Sequence, residues 1–249
     1  MTDAGPPPNR DVQPPTTQQP SKWQPAMVVD IERETARAKT FRLALAHPSP
    51  HLAGQHYVVR LSAPDGYTAS RSYSVASPPD GSNAIDLTVE RLEEGEVSTF
   101  LHDELVIGDE LEVRGPIGGY FVWNGDTPAL LIGGGSGIVP LMAMLRLARK
   151  LGRSDLIKLV MSVRSPDDLF YADELPGPET TVVYSRDAPA GYARPAGRIT
   201  AGDLAPLVTD GTTAYVCGSS GFADAASHLA VDLGVPAERV RVERFGPTA

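Results

Sequence analysis

The chain has 249 residues, 41% of them apolar and 21% charged, with a formal net charge of −9. This length accommodates two globular domains; no apolar run reaches the roughly 18 residues of a membrane-crossing helix, and the negative balance argues against nucleic acid as a main partner. The single cysteine, Cys217, excludes an intrachain disulfide and a plant-type iron–sulfur cluster, which takes four thiolates, and the histidines fall in no metal-binding pattern, so no metal is expected.

Residues 1–22 are polar and proline-rich. They cannot bury enough apolar surface to fold and are expected to form a disordered tail. They carry no signal-peptide core, which points to a cytoplasmic protein. From Trp23 to about Trp123 the pattern is mostly strands. Met27–Ile31, Thr40–Leu45, His56–Leu61, Ile85–Glu90 and Glu110–Arg114 have strand-type apolar content, and Pro64-Asp65-Gly66 and Pro78-Pro79-Asp80-Gly81 punctuate the gaps. Five or six short strands at this spacing predict a small antiparallel barrel over 23–125. One helix interrupts it, from about Val97 to Leu105, with Ser98 as its predicted N-cap.

After Gly125 strands and helices alternate. Ala129–Ile132, Lys158–Val163, Thr181–Tyr184, Ala214–Cys217 and Val240–Glu243 read as buried strands. Leu141, Met144, Leu145, Ala148 and Leu151 mark one face of a helix ending at Gly152, and Ala223–Leu233 a helix stopped by Gly234. The alternation predicts an α/β domain over 126–249, a parallel sheet with helices on both faces. Ligands on such sheets bind at the carboxyl ends of the strands, where Gly133–Gly137, Ser185-Arg186 and Cys217-Gly218 fall.

Several of these stretches carry chemistry. Leu130-Leu131-Ile132 runs into Gly133, Gly134, Gly135, Ser136 and Gly137 and then into a helix with Pro140 in its first turn. Such a strand–loop–helix aims free N–H groups at the loop and favours a phosphate. Arg71-Ser72-Tyr73-Ser74 combines a guanidinium able to grip a diphosphate, a ring able to lie on a heteroaromatic system and a hydroxyl able to bond a ring nitrogen. The same four residues also read as an ordinary strand with Arg and Tyr on its wet face. Gly95-Glu96-Val97-Ser98 opens the first helix, as a second anion site or simply as a capped helix. Gly115–Phe121 reads as a tight loop and an edge strand. Arg146, Arg149 and Lys150 form either a basic docking patch or, the reading favoured here, the solvated face of their helix.

In this order these motifs, followed by Cys217-Gly218-Ser219-Ser220-Gly221-Phe222 and Glu243-Arg244-Phe245-Gly246, resemble the ferredoxin–NADP reductase superfamily from about Trp23 to Gly246. The branch they are most similar to is the flavin- and nicotinamide-binding part of multicomponent oxygenase reductases, without the 2Fe-2S domain. The resemblance implies FAD at Arg71, Ser72, Tyr73 and Ser74, with Ser74 near flavin N5, and the FAD diphosphate at the backbone of Gly95, Val97 and Ser98. It implies the diphosphate of NADP, with NAD possible, at Gly133, Gly134, Gly135, Ser136, Gly137 and Pro140. Cys217 and Gly218 would approach the nicotinamide ring, Glu243 and Phe245 would lie by the flavin, and Ser74, Cys217 and Glu243 would be the catalytic set. Ser185 and Arg186 would meet the 2′-phosphate, with Arg194 and Arg198 adding charge, whereas Asp187 beside them would favour NAD. The chain departs from the family at Ser219, where proline is frequent, and in running on past Phe245.

The expected activity is electron transfer from NAD(P)H through FAD to a separate acceptor, such as a ferredoxin or an oxygenase component. A diaphorase or flavin reductase acting on small acceptors and a non-catalytic flavin- or nicotinamide-sensing subunit are the alternatives.

Overall fold

The computed structural model describes residues 22–175 and 177–246. Apart from Lys22, the tail expected at 1–22 lies outside them, as do Pro247, Thr248 and Ala249.

The first half forms a six-stranded antiparallel sheet, β1 (Trp23–Thr35), β2 (Ala38–Leu45), β3 (His56–Ser62), β4 (Thr68–Ser74), β5 (Ala84–Glu90) and β6 (Glu110–Ile117), in the order β4-β3-β6-β1-β2-β5. The bridge between Val75 and Leu87 and the bond from Ala76 N–H to Asp86 O (2.8 Å) bring the two edges together, so the sheet curls into a barrel. Alternation drives this: on β1 Ala26 and Val28 are buried while Met27 and Val29 face water. The inward residues, among them Phe41, Leu43, Tyr57, Val59, Ile85, Leu87 and Val113, form one core. Helix α1 (Glu96–Asp103) covers the gap between β4 and β5 with Val97 and Leu101.

The predicted N-cap of α1 is corrected. Gly95, extended at φ −89° and ψ 94°, holds that position, and Ser98 lies inside the first turn. The Ser98 hydroxyl donates to Gly95 O (3.0 Å) and accepts Leu92 N–H (3.2 Å), closing the preceding turn instead of capping the helix. β4 was not among the predicted apolar strands: it reads Thr-Ala-Ser-Arg-Ser-Tyr-Ser, and only Ala69 and Ser74 are buried.

The second half forms a five-stranded parallel sheet, β7 (Ala129–Gly134), β8 (Ile157–Val163), β9 (Thr180–Tyr184), β10 (Thr213–Gly218) and β11 (Val240–Arg244), in the order β11-β10-β7-β8-β9. Leu131, Leu159, Met161 and Tyr215 face helix α2 (Ile138–Lys150). Leu130, Ile132, Val160 and Val216 face the other side, covered by α3 (Ala201–Leu204) and α4 (Ser220–Asp232). Both faces are covered, so the inner strands β7, β8 and β10 are mostly apolar, while the edge strands β9 and β11 carry polar residues.

Helix α2 is buried on nearly all sides because Ala38, Ala53, Ala76, Phe121 and Trp123 of the first half join its core. Leu151, expected on its apolar face, is 50% exposed just beyond the helix end. The solvated face holds only for Lys150. Arg146 donates to Ala76 O (3.0 Å) and to Glu174 (Nε to Oε2, 2.9 Å), with its guanidinium 4.9 Å from the Tyr171 ring centre. Arg149 is paired with Glu179. These arginines fasten α2 to its surroundings, and neither forms the basic docking patch.

A polar clasp joins the halves beside them. Glu34 accepts the Tyr171 N–H (3.0 Å) and the Thr40 hydroxyl (2.5 Å), and the buried Tyr171 hydroxyl donates to Thr88 Oγ1 (2.5 Å).

Candidate functional site

On the barrel side, β4 and the start of α1 are neighbours. Arg71 is exposed and makes only a bond to Ser70 O (2.8 Å), with no ion pair among the described residues. Tyr73 stands opposite Tyr57 in the β3–β4 ladder and is half-buried, and burial pushes its phenol well above the ordinary range. Ser72 is exposed; Ser74 is 5% exposed and opposite His56. The N–H groups of Glu96, Val97 and Ser98, in the first turn of α1, have no carbonyl partner in the helix. Gly95 makes that turn tight, since a Cβ there would stand 2.4 Å from Ser98 Oγ. A free guanidinium beside unbonded N–H groups at a helix start suits a diphosphate, so the residues present fit the FAD that the motifs imply.

On the sheet side, β7 leads through one 3₁₀ turn, Gly135–Gly137, into α2, whose third residue is Pro140. Packing demands part of this glycine pattern: a Cβ on Gly137 would stand 2.2 Å from Cys217 O. Gly135 is exposed at φ +56° with open space around it. Ser136 is half-buried beside it, and Gly133 and Gly134 close β7. The tight contact joins the glycine loop to Cys217-Gly218, the end of the neighbouring strand β10.

Cys217 is fully buried. Burial, and next the neighbouring Glu243, push its thiol well above the ordinary value, which leaves it protonated and unreactive. Glu243 is its register partner on β11 and has no hydrogen-bond partner among the described residues. Burial raises its carboxyl to about 7. Phe245 donates its N–H to Gly218 O (2.8 Å) and packs on the shared core. The structure therefore joins the glycine loop, Cys217-Gly218, Glu243 and Phe245 in one constellation.

Ser185 and Arg186 follow β9, two strands from β7. Arg186 is exposed and free of ion pairs among the described residues, and its N–H bonds Arg164 O (3.0 Å). Arg164, which the sequence reading passed over, is a second exposed cation at the end of β8. The rule that singled out Arg186, a cation directly after a strand, finds it too. Arg194 is not free to add charge: it binds Asp203 through two bonds (2.6 and 2.8 Å) and donates to the carbonyls of Pro195, Gly197 and Arg198.

The family comparisons follow this division. Residues 25–122 match the family described as oxidoreductase FAD-binding domain, and 131–228 the oxidoreductase NAD-binding domain. A ferredoxin–NADP reductase B of Sorangium cellulosum is 33% identical over 78% of this chain and 84% of its own length. A Ralstonia reductase component of naphthalene 1,2-dioxygenase/salicylate 5-hydroxylase systems is 28% identical over 92% of this chain and 71% of its own. Pseudomonas putida flavohemoprotein is 31% identical over 89% of this chain, but this chain spans only 59% of its length. Among solved structures, the FAD/NAD-binding domain of a Vibrio cholerae nitric oxide dioxygenase superposes with TM-score 0.79 at 23% identity, over 92% of this chain and all of that one. An Amycolatopsis cytochrome P450 reductase gives TM-score 0.75 at 27% identity, over 91% of this chain and 70% of that one.

Fold and site together define an NAD(P)H-dependent flavoprotein reductase that uses FAD. The chain belongs to the ferredoxin–NADP reductase superfamily. Among the described residues no helix is long and apolar enough to cross a membrane.

Proposed function

We propose that this chain passes electrons from NADPH through FAD to a separate acceptor protein, a ferredoxin or an oxygenase component, and works in the cytoplasm. The observation that carries the reading is the contact of the glycine loop with Cys217-Gly218, beside Glu243 and Phe245, at the carboxyl edge of the parallel sheet. The division proposed is a flavin-binding domain over 23–125 and a nicotinamide-binding domain over 126–249.

When bound, FAD would supply the redox chemistry, hydride acceptance from the reduced nicotinamide and single-electron release. Arg71 and the N–H groups at the start of α1 would hold its diphosphate, Tyr73 would support its ring system and Ser74 would hydrogen-bond the flavin. The dinucleotide lies along the carboxyl edge of the second sheet. Gly133–Gly137 hold its diphosphate and Cys217 sets the floor under the nicotinamide. Ser185, Arg186 and Arg164 take the 2′-phosphate, about two strand spacings or roughly 10 Å from β7. The cation pair supports NADPH over NADH despite the adjacent Asp187. Glu243 is half-buried, and its carboxyl, raised to about 7, would keep a proton in reach of the bound ring.

Anaerobic titration tests this. FAD-loaded protein should bleach on one equivalent of NADPH and regain its colour when an oxidised ferredoxin or oxygenase component is added. Reoxidation by quinones or free flavin alone, with every protein acceptor inert, would support the diaphorase reading. Failure to bleach would leave the sensing reading.

A further inference from the structure

The flavin cradle has a neighbour that no motif marks. Tyr67 lies at the turn between β3 and β4, one residue before β4 and four before Arg71. The residue is 56% exposed. It is nevertheless anchored. The hydroxyl donates to Glu96 Oε2 (3.0 Å), on the first residue of α1, and the backbone N–H bonds Asp65 Oδ1 (3.0 Å) while the carbonyl accepts Ala63 N–H (2.8 Å). The ring thus bridges the β3–β4 hairpin to the helix start whose N–H groups, with Arg71, form the diphosphate cradle. The neighbouring turn adds Leu92, 48% exposed and packed against Gly95.

We propose that Tyr67 is the platform for the adenine of FAD, stacking on the purine where the cofactor leaves the diphosphate cradle. The proposal rests on the cradle assigned above and says which half of the cofactor the hairpin recognises. A planar base gains from an aromatic face, and a ring fixed at its hydroxyl end loses little freedom when the base arrives.

The test compares FAD with FMN, which lacks the adenylate. Wild type, Tyr67→Ala and Tyr67→Phe are freed of flavin and checked for equal thermal midpoints, and each flavin is titrated by fluorescence quenching. Tyr67→Ala should raise the Kd for FAD roughly tenfold to a hundredfold, the range for losing one base–aromatic stack, and leave that for FMN within about twofold. Tyr67→Phe keeps the ring and should stay within about threefold of wild type for FAD. If wild type holds FAD but no FMN, retention of FAD by Tyr67→Phe and its loss by Tyr67→Ala at an unchanged midpoint supports the platform. Unchanged FAD affinity in Tyr67→Ala, or an equal loss of both flavins, overturns it. Failure of the cradle itself looks different, since wild type would then take up neither flavin.

Discussion

Glu243 faces Cys217 across the β10–β11 ladder, and the carboxyl is raised to about 7 by burial without one hydrogen bond to offset it among the described residues. The folded chain therefore holds this proton more tightly than the unfolded chain, whose carboxyl titrates near 4.5. The resulting stability is complete below about pH 4.5 and is lost as pH rises through about 7, on the order of 3 kcal/mol in all. Glu243→Gln keeps the shape and stays neutral. Urea midpoints from about pH 5 to pH 8 should fall more steeply for wild type than for Glu243→Gln; parallel profiles would refute the raised carboxyl.

The clasp between the halves gives a second prediction. Glu34 of β1 accepts the Tyr171 backbone N–H and the Thr40 hydroxyl, and Tyr171 is 4% exposed. Glu34→Ala leaves a buried N–H without a partner, which costs about 1–3 kcal/mol. Limited proteolysis should then cut the segment after β8 faster, with the change smaller in Glu34→Gln. Equal cutting of wild type and Glu34→Ala would show that the apolar contacts around α2 hold the halves unaided.

Much of this molecule was legible because its periodicities are strong. The apolar strands β7, β8 and β10 and the glycine loop stand out in the sequence, since a sheet covered on both faces needs unbroken apolar runs. β4 did not stand out as an apolar strand, because the strand that faces the cradle has polar residues where a core strand has aliphatic ones. Ser98 misled because a hydroxyl near a helix start satisfies either a cap or the preceding turn, and only the chain path of Leu92–Gly95 decides. The roles of Arg146 and Arg194 were hidden because their acidic partners, Glu174 and Asp203, are set by folding of intervening loops.

The glycine loop separates packing from conformation. Gly137→Ala would force its Cβ to 2.2 Å from Cys217 O, a backbone atom that cannot step aside. Gly135→Ala meets open space and pays only for its left-handed φ of +56°, about 1–2 kcal/mol. Gly135→Ala should fold with a midpoint a few degrees lower, whereas Gly137→Ala should be largely insoluble or lose both nucleotide binding and much of its stability. Thermal melts of the two variants decide, and equal behaviour would contradict the close approach of the two loops.

The arginines at the carboxyl edge give the last prediction, because the sequence treats them alike and the structure does not. Arg186 is exposed with no carboxylate partner among the described residues, so its loss should be felt by the ligand and hardly by the fold. A charge-assisted contact to a 2′-phosphate is worth roughly 1.5–3 kcal/mol, so Arg186→Ala should raise the KM for NADPH about tenfold to a hundredfold and leave that for NADH nearly unchanged. Arg164→Ala should act in the same direction, since its carbonyl is bonded by Arg186 N–H at the adjacent strand end. Arg194 holds the Asp203 carboxyl down to about 2 through its paired bonds and ties down the carbonyls of the loop before α3. Arg194→Ala should therefore lower the melting temperature and leave the ratio of the two KM values in place. Steady-state kinetics with both nucleotides and one melting curve per variant suffice. A change of cofactor preference in Arg194→Ala as large as in Arg186→Ala would show that the Arg194–Asp203 pair opens to meet the phosphate.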